Sequence, residues 1–149
     1  MTDPAKMLVI DDDASVREVL AMALENAGHV VDTAENGGEA IRKSNANFYN
    51  LALIDVRLPD MEGTRLLADM KDTMPKMVKI IVTGYPGLQN AVESVNKGAD
   101  AYVVKPFKME GLLKTVRECL KKQDEAKKYG EEKVREFIET RAKELERKR

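Results

Sequence analysis

Five short apolar runs rich in β-branched residues constrain this chain more than any other feature: Met7 to Ile10, Val30 to Thr33, Leu51 to Val56, Lys79 to Val82 and Ala101 to Val104. Each is followed by a segment long enough for a helix, and apolar residues recur there at helical spacing. Examples are Val16, Val19, Leu20, Ala23 and Leu24, then Leu66, Leu67 and Met70, then Leu112, Leu113, Val116 and Leu120. The pattern is a strand followed by a helix, five times over. Runs such as Met7-Leu8-Val9-Ile10 and Ile80-Ile81-Val82 are apolar at successive positions, which suits strands covered on both faces. An α/β architecture with an open, five-stranded, doubly wound parallel sheet is expected, and 149 residues suffice for one such domain.

Turn chemistry sets the expected boundaries. Ala27-Gly28 follows the first helix, Asn36-Gly37-Gly38 reads as a turn after the second strand, and Lys97-Gly98 ends the fourth helix with a C′ glycine. In doubly wound sheets the ligand crevice lies at the carboxyl ends of the strands. Those ends carry Asp11-Asp12-Asp13, Asp55, Thr83-Gly84 and Lys105-Pro106.

Composition excludes several classes of function. There is one cysteine, Cys119, so no internal disulfide can form, and a small apolar role on a helix face is expected for it. No uncharged apolar run approaches the eighteen or so residues needed to cross a bilayer, and the N-terminus lacks the tripartite pattern of a secretory signal. A cytoplasmic address, with no membrane contact, is the expectation. Residues up to Leu120 carry 14 basic and 18 acidic side chains, against 11 and 8 from Lys121 onward. Neither balance makes a nucleic-acid footprint, so no DNA or RNA contact is expected.

Three carboxylates converge if the first and third strands are neighbours. Converging carboxylates raise one another's pKa unless a cation neutralises them, and an all-oxygen site with few protein ligands suits hydrated Mg²⁺, with Mn²⁺ as an alternative. A carboxylate beside such a metal can attack phosphorus, provided charge on the transferring oxygens is stabilised. Thr83 supplies a hydroxyl donor and Lys105 an ammonium.

Four segments, in order and spacing, resemble the receiver domain of two-component response regulators over residues 5 to 120: Leu8-Val9-Ile10-Asp11-Asp12-Asp13, Leu53 to Gly63, Val82-Thr83-Gly84-Tyr85 and Gly98 to Phe107. The resemblance implies a flavodoxin-like strand order 2-1-3-4-5 with five helices. It implies Asp55 as the phosphorylated residue, Asp12 as a direct Mg²⁺ ligand, Asp11 as holder of a metal-bound water, and the Arg57 backbone carbonyl as a further ligand. Thr83, Gly84 and Lys105 would accommodate the phosphoryl group, and Asp13 would cap a helix. Thr83 and Tyr102 would form the switch, remodelling the face made by the fourth helix, fifth strand and fifth helix. A sensor histidine kinase or phosphotransfer protein would supply the phosphoryl group and a downstream protein would read it.

Two large side chains stand where bulk can obstruct attacking water, Arg57 two residues after Asp55 and Tyr85 two residues after Thr83, and they are expected to prolong the phosphorylated state. His29, the single histidine, reads as a solvated turn residue. After Leu120 there are 29 residues rich in Lys, Glu and Arg, in which Val134, Phe137, Ile138, Ala142 and Leu145 form a narrow apolar stripe. The chain is thus expected to divide into a receiver at 1–122 and a charged helical extension at 123–149, with no effector domain expected. Self-association is expected through the extension or through the face of the fourth helix, fifth strand and fifth helix. Two alternatives stay open. A pseudo-receiver would act as a constitutive interaction module. An Mg²⁺-dependent aspartyl-phosphate phosphohydrolase would want a second aspartate at position 57, where this chain has arginine.

Overall fold

The computed structural model describes residues 4–84 and 87–148, and the side chains of residues 88–90 are not among what it describes. In chain order the elements are β1 (Lys6–Ile10), α1 (Ala14–Asn26), β2 (Val30–Ala34), α2 (Gly37–Ala46), β3 (Leu51–Asp55), α3 (Gly63–Asp69), β4 (Val78–Thr83), α4 (Leu88–Asn96), β5 (Ala101–Val104) and α5 (Met109–Arg147). All strand pairs are parallel and the sheet order is β2-β1-β3-β4-β5. Strand ends agree with the sequence reading to within a residue or two. β3 stops at Asp55, because Val56 already belongs to the loop that leaves the sheet.

Each strand of the sheet interior feeds two cores because its side chains alternate between faces. Leu8, Ile10, Ala52, Ile54 and Ile81 point to one side, where Ala40 of α2 and Leu66 and Leu67 of α3 cover them. Met7, Val9, Leu51, Leu53, Ile80 and Val82 point to the other, beneath Leu20 and Leu24 of α1 and Leu112 and Val116 of α5. Burying a side chain of this size stabilises the fold by about 1.5–3 kcal/mol before entropy is counted. Val19 is an exception to the expected stripe on α1, being exposed while Leu20 and Leu24 are buried.

Gly28 and Gly98 follow helices α1 and α4 with φ of 98° and 101°, the left-handed conformation that favours glycine. Gly37 and Gly38, expected in a turn, instead open α2. Asn36 caps that helix by accepting a hydrogen bond from the Glu39 amide at 2.8 Å. A Cβ on Gly37 would collide with the Met61 side chain, so glycine here permits close approach of a distant loop. His29 is half-buried rather than solvated, with Nδ1 accepting a hydrogen bond from the Ala5 amide at 3.1 Å. Burial holds its pKa below the usual value.

α5 is a single helix of 39 residues, and only Leu112 and Val116 near its start are fully buried. Gln123 ties it to the base of the sheet, donating to the carbonyls of Asn50 and Lys76 at 2.9 and 2.8 Å. From there the helix runs on with its side chains exposed. No helix among the described residues is long and apolar enough to cross a membrane.

Candidate functional site

The centre of the sheet brings β1 and β3 side by side, with Ile10 paired to Ile54, so the residues that follow them meet above the sheet. Carboxylate oxygens of Asp11, Asp12 and Asp55 all lie within 4.8 Å of one another. Asp11 and Asp55 are buried, whereas Asp12 is exposed at the rim. The Asp11 amide donates to Ala34 O at 3.1 Å, continuing the β1–β2 ladder past the strand end. Its Oδ1 accepts from the Asp13 amide at 3.0 Å, and Asp13 in turn caps α1, accepting from the amides of Ser15 and Val16 at 2.9 and 3.2 Å. The acidic loop is therefore pinned at both ends.

Lys105 reaches in from the end of β5. Its Nζ lies 2.9 Å from Asp11 Oδ2 and 3.7 Å from Asp55 Oδ2. Burial works against the Lys105 ammonium, but the carboxylates of Asp11, Asp55 and Asp12 outweigh it, and its pKa is raised. Asp55 moves the same way for a different reason. Burial and the Asp11 carboxylate push its pKa up to about 6, against the pull of Lys105 and of the Arg57 amide, which donates to Oδ1 at 3.3 Å. Three acids facing one ammonium leave an excess of negative charge, and the remaining donors are oxygens. That set fits a hard divalent cation.

Thr83, at the end of β4, is fully buried, and its carbonyl accepts from the Lys105 amide at 2.7 Å, which locks the ends of β4 and β5 together. A Cβ on Gly84 would make only an ordinary 3.9 Å contact with Lys105 Cβ, so packing among the described residues does not require glycine there. The Arg57 side chain is exposed at the rim. Tyr102 is half-buried against the core on the α2–α3 side, and its hydroxyl is buried without a hydrogen-bond partner. Tyr85 lies outside the described residues.

Three supporting residues escaped the sequence reading. Arg17 of α1 donates to the Asp11 carbonyl at 2.8 Å. Asp60, in the loop after β3, accepts from the amides of Gly37 and Gly38 at 2.8 Å each, clipping that loop to the start of α2 and holding its own pKa down. Gly63 donates its amide to Val56 O at 2.6 Å, and a Cβ there would collide with the Asp55 carbonyl oxygen. The Asp60 to Gly63 run was visible as part of a motif; its mechanical purpose was not.

Comparison with known proteins agrees with this geometry. Residues 7–117 match the family model described as the response regulator receiver domain. A CheY-like receiver domain protein from Methanospirillum hungatei JF-1 has 42% identity and a TM-score of 0.79 over 83% of this chain and 99% of its own. A response regulator from Burkholderia pseudomallei, solved with a phosphorylated aspartic acid, a calcium ion and citrate, is 34% identical with a TM-score of 0.69, covering 74% of this chain and 65% of its own. The transcriptional regulatory protein GlrR of Escherichia coli is 31% identical over 139 residues, 93% of this chain but 31% of GlrR, so the chain spans under a third of that relative. An acidic triad able to hold a divalent cation, at the strand ends of a 2-1-3-4-5 sheet and within reach of a lysine, is what a phosphoryl-accepting signalling module requires, and the chain belongs to the response regulator receiver domain family.

Proposed function

We propose that Asp55 accepts a phosphoryl group from a sensor histidine kinase or a phosphotransfer protein, and that the change is read by a downstream protein in the cytoplasm. The observation that carries this is the convergence of Asp11, Asp12 and Asp55 within 4.8 Å, with Lys105 beside two of them. A resident Mg²⁺, or Mn²⁺, would be held by Asp12, Asp55 and the Arg57 carbonyl, with Asp11 holding its water, and would neutralise charge on the transferring oxygens. Asp55 attacks phosphorus, the donor's leaving group departs with its electron pair, and an acyl phosphate remains on the carboxylate. Lys105 exchanges its partner at Asp55 for the new dianion while keeping Asp11. Thr83 donates to a phosphoryl oxygen, and Gly84 leaves room for it.

Tyr102 supports a switch. A buried hydroxyl without a partner costs about 1–3 kcal/mol, a cost that a second packing giving it a partner would recover, and a charge event nearby would select between the two. Arg57, exposed at the rim, shields the phosphoryl group from water, as Tyr85 is expected to. Residues 1–122 form the receiver and 123–149 its helical extension, with self-association through the extension or through the face of α4, β5 and α5.

The test is intact mass after incubation with Mg²⁺ and acetyl phosphate, for the parent and Asp55→Asn. One phosphoryl increment on the parent, lost with chelator and absent from the variant, is expected, and Arg57→Ala should lose it faster once the donor is removed. An equal increment on both proteins would place the chemistry elsewhere.

A further inference from the structure

Arg17 is a cation in an unfavourable place for helix stability. It lies in the first turn of α1, where the helix dipole disfavours positive charge. Its side chain is nonetheless only 18% exposed, and its ion pair, Nη2 to Glu35 Oε2 at 3.9 Å, reaches a carboxylate that is itself 65% exposed, a contact worth little. What Arg17 holds firmly is backbone. Nη1 donates to the Asp11 carbonyl at 2.8 Å, and its own amide donates to the Asp13 carbonyl at 3.0 Å.

Those two contacts bracket Asp12. Its carboxylate is exposed, and among the described residues no hydrogen bond reaches it, so its direction is set by the peptide planes on either side. The plane before it contains the Asp11 carbonyl, which lies beyond the paired residues of β1 and is bonded by Arg17. The plane after it contains the Asp13 amide, which donates to Asp11 Oδ1 at 3.0 Å. Asp11 itself is fixed by its amide on Ala34 O and by Lys105 on Oδ2. Arg17 thus closes a ring whose one outward-pointing member is Asp12.

We propose that Arg17 is a positioning residue for the divalent cation, aiming Asp12 so that the pocket favours a small octahedral ion over a larger one. This rests on the reading of Asp11, Asp12 and Asp55 as a cation site. Mg²⁺ demands near-ideal octahedral geometry, whereas Ca²⁺ accepts irregular sets of oxygens, so a loosened Asp12 penalises Mg²⁺ more. Charge predicts the opposite sign. A guanidinium beside three acids repels a cation, and removing it for that reason alone would tighten every divalent ion alike.

The test is Mn²⁺ binding to the full chain, followed by the spin resonance of free Mn²⁺, with Mg²⁺ and Ca²⁺ measured by displacement. Arg17→Met keeps the aliphatic stem and removes donor and charge; Leu20 and Leu24, which pack α1, are untouched. Its dissociation constant for Mn²⁺ should rise about tenfold, as is usual when a group that holds a metal ligand is lost. Affinity for Mg²⁺ should fall about threefold further than affinity for Ca²⁺. Arg17→Lys, which can still donate to the Asp11 carbonyl, should bind Mn²⁺ within about threefold of the parent. If Arg17→Met binds Mn²⁺ as tightly as the parent or more tightly, or loses Mg²⁺ and Ca²⁺ equally, Arg17 does not position the site. A parent that binds no Mn²⁺, or an Asp12→Asn variant that binds it undiminished, would overturn the cation site and this role together.

Discussion

Asp55 carries a conflict that the fold does not resolve by itself. Its carboxyl is buried next to Asp11, and Lys105, at 3.7 Å, is closer to Asp11 than to it, so its pKa rises from 3.8 to about 6. A raised acid pKa means that folding favours the protonated form. The contribution is fully present below about pH 3.8, and it is lost as pH climbs through about 6. At neutral pH the ionised Asp55 therefore opposes folding by about 1–2 kcal/mol, less than the full shift implies because the site is partly wetted. Asp55→Asn should raise the unfolding free energy of chelator-treated protein by that amount at pH 7.5, and the gain should vanish near pH 4. Denaturant unfolding at both pH values measures it; an equal gain at pH 4 would assign the effect to packing instead. Added Mg²⁺ should shrink the difference at pH 7.5 by stabilising the parent.

At the scale of elements, the acidic loop is held by helix capping as much as by the sheet. Asp13 accepts from two α1 amides and its own amide donates to Asp11, so the start of α1 and a pocket residue share one loop. Asp13→Ala should cost about 1 kcal/mol, whereas Asp13→Asn should retain most of the cap. Comparing their denaturant midpoints separates capping from charge, since a loss in both would implicate the carboxylate's charge. This cap was legible in the sequence, as were the strand-end acids, Lys105 and the sheet itself, because each is signalled by local pattern: apolar runs, strand ends, an aspartate ahead of a helical stripe. Gly37 and Gly38 were misread because their helix is completed by Asp60 and Met61, more than twenty residues later in the chain. Gly63 and Arg17 were missed for the same reason. Each acts on a backbone carbonyl of a residue elsewhere in the pocket, and such contacts leave no periodicity to read.

The whole molecule has two ends, and α5 joins them. It starts four residues after Lys105, at the carboxyl ends of the strands, and leaves the body at their amino ends, where Gln123 is bonded to Asn50 and Lys76. A strand of five residues separates the acidic pocket from the loops that Gln123 binds by about 17 Å. Coupling between two sites requires an element with two arrangements that both sites bias. Tyr102, in β5, fits that role, but it packs on the α2–α3 side of the sheet, opposite the face that α5 covers. The root of α5 is clamped to the body by buried Leu112 and Val116 and by the Gln123 hydrogen bonds. Self-association through the extension, as proposed above, should therefore be independent of phosphorylation. The dissociation constant of the dimer should change by less than about twofold, under about 0.4 kcal/mol of coupling, between unmodified protein and protein held with Mg²⁺ and excess acetyl phosphate. A change of tenfold or more, measured by sedimentation under both conditions, would mean that α5 itself moves with the phosphoryl group and that the body-facing line of the helix is the switch.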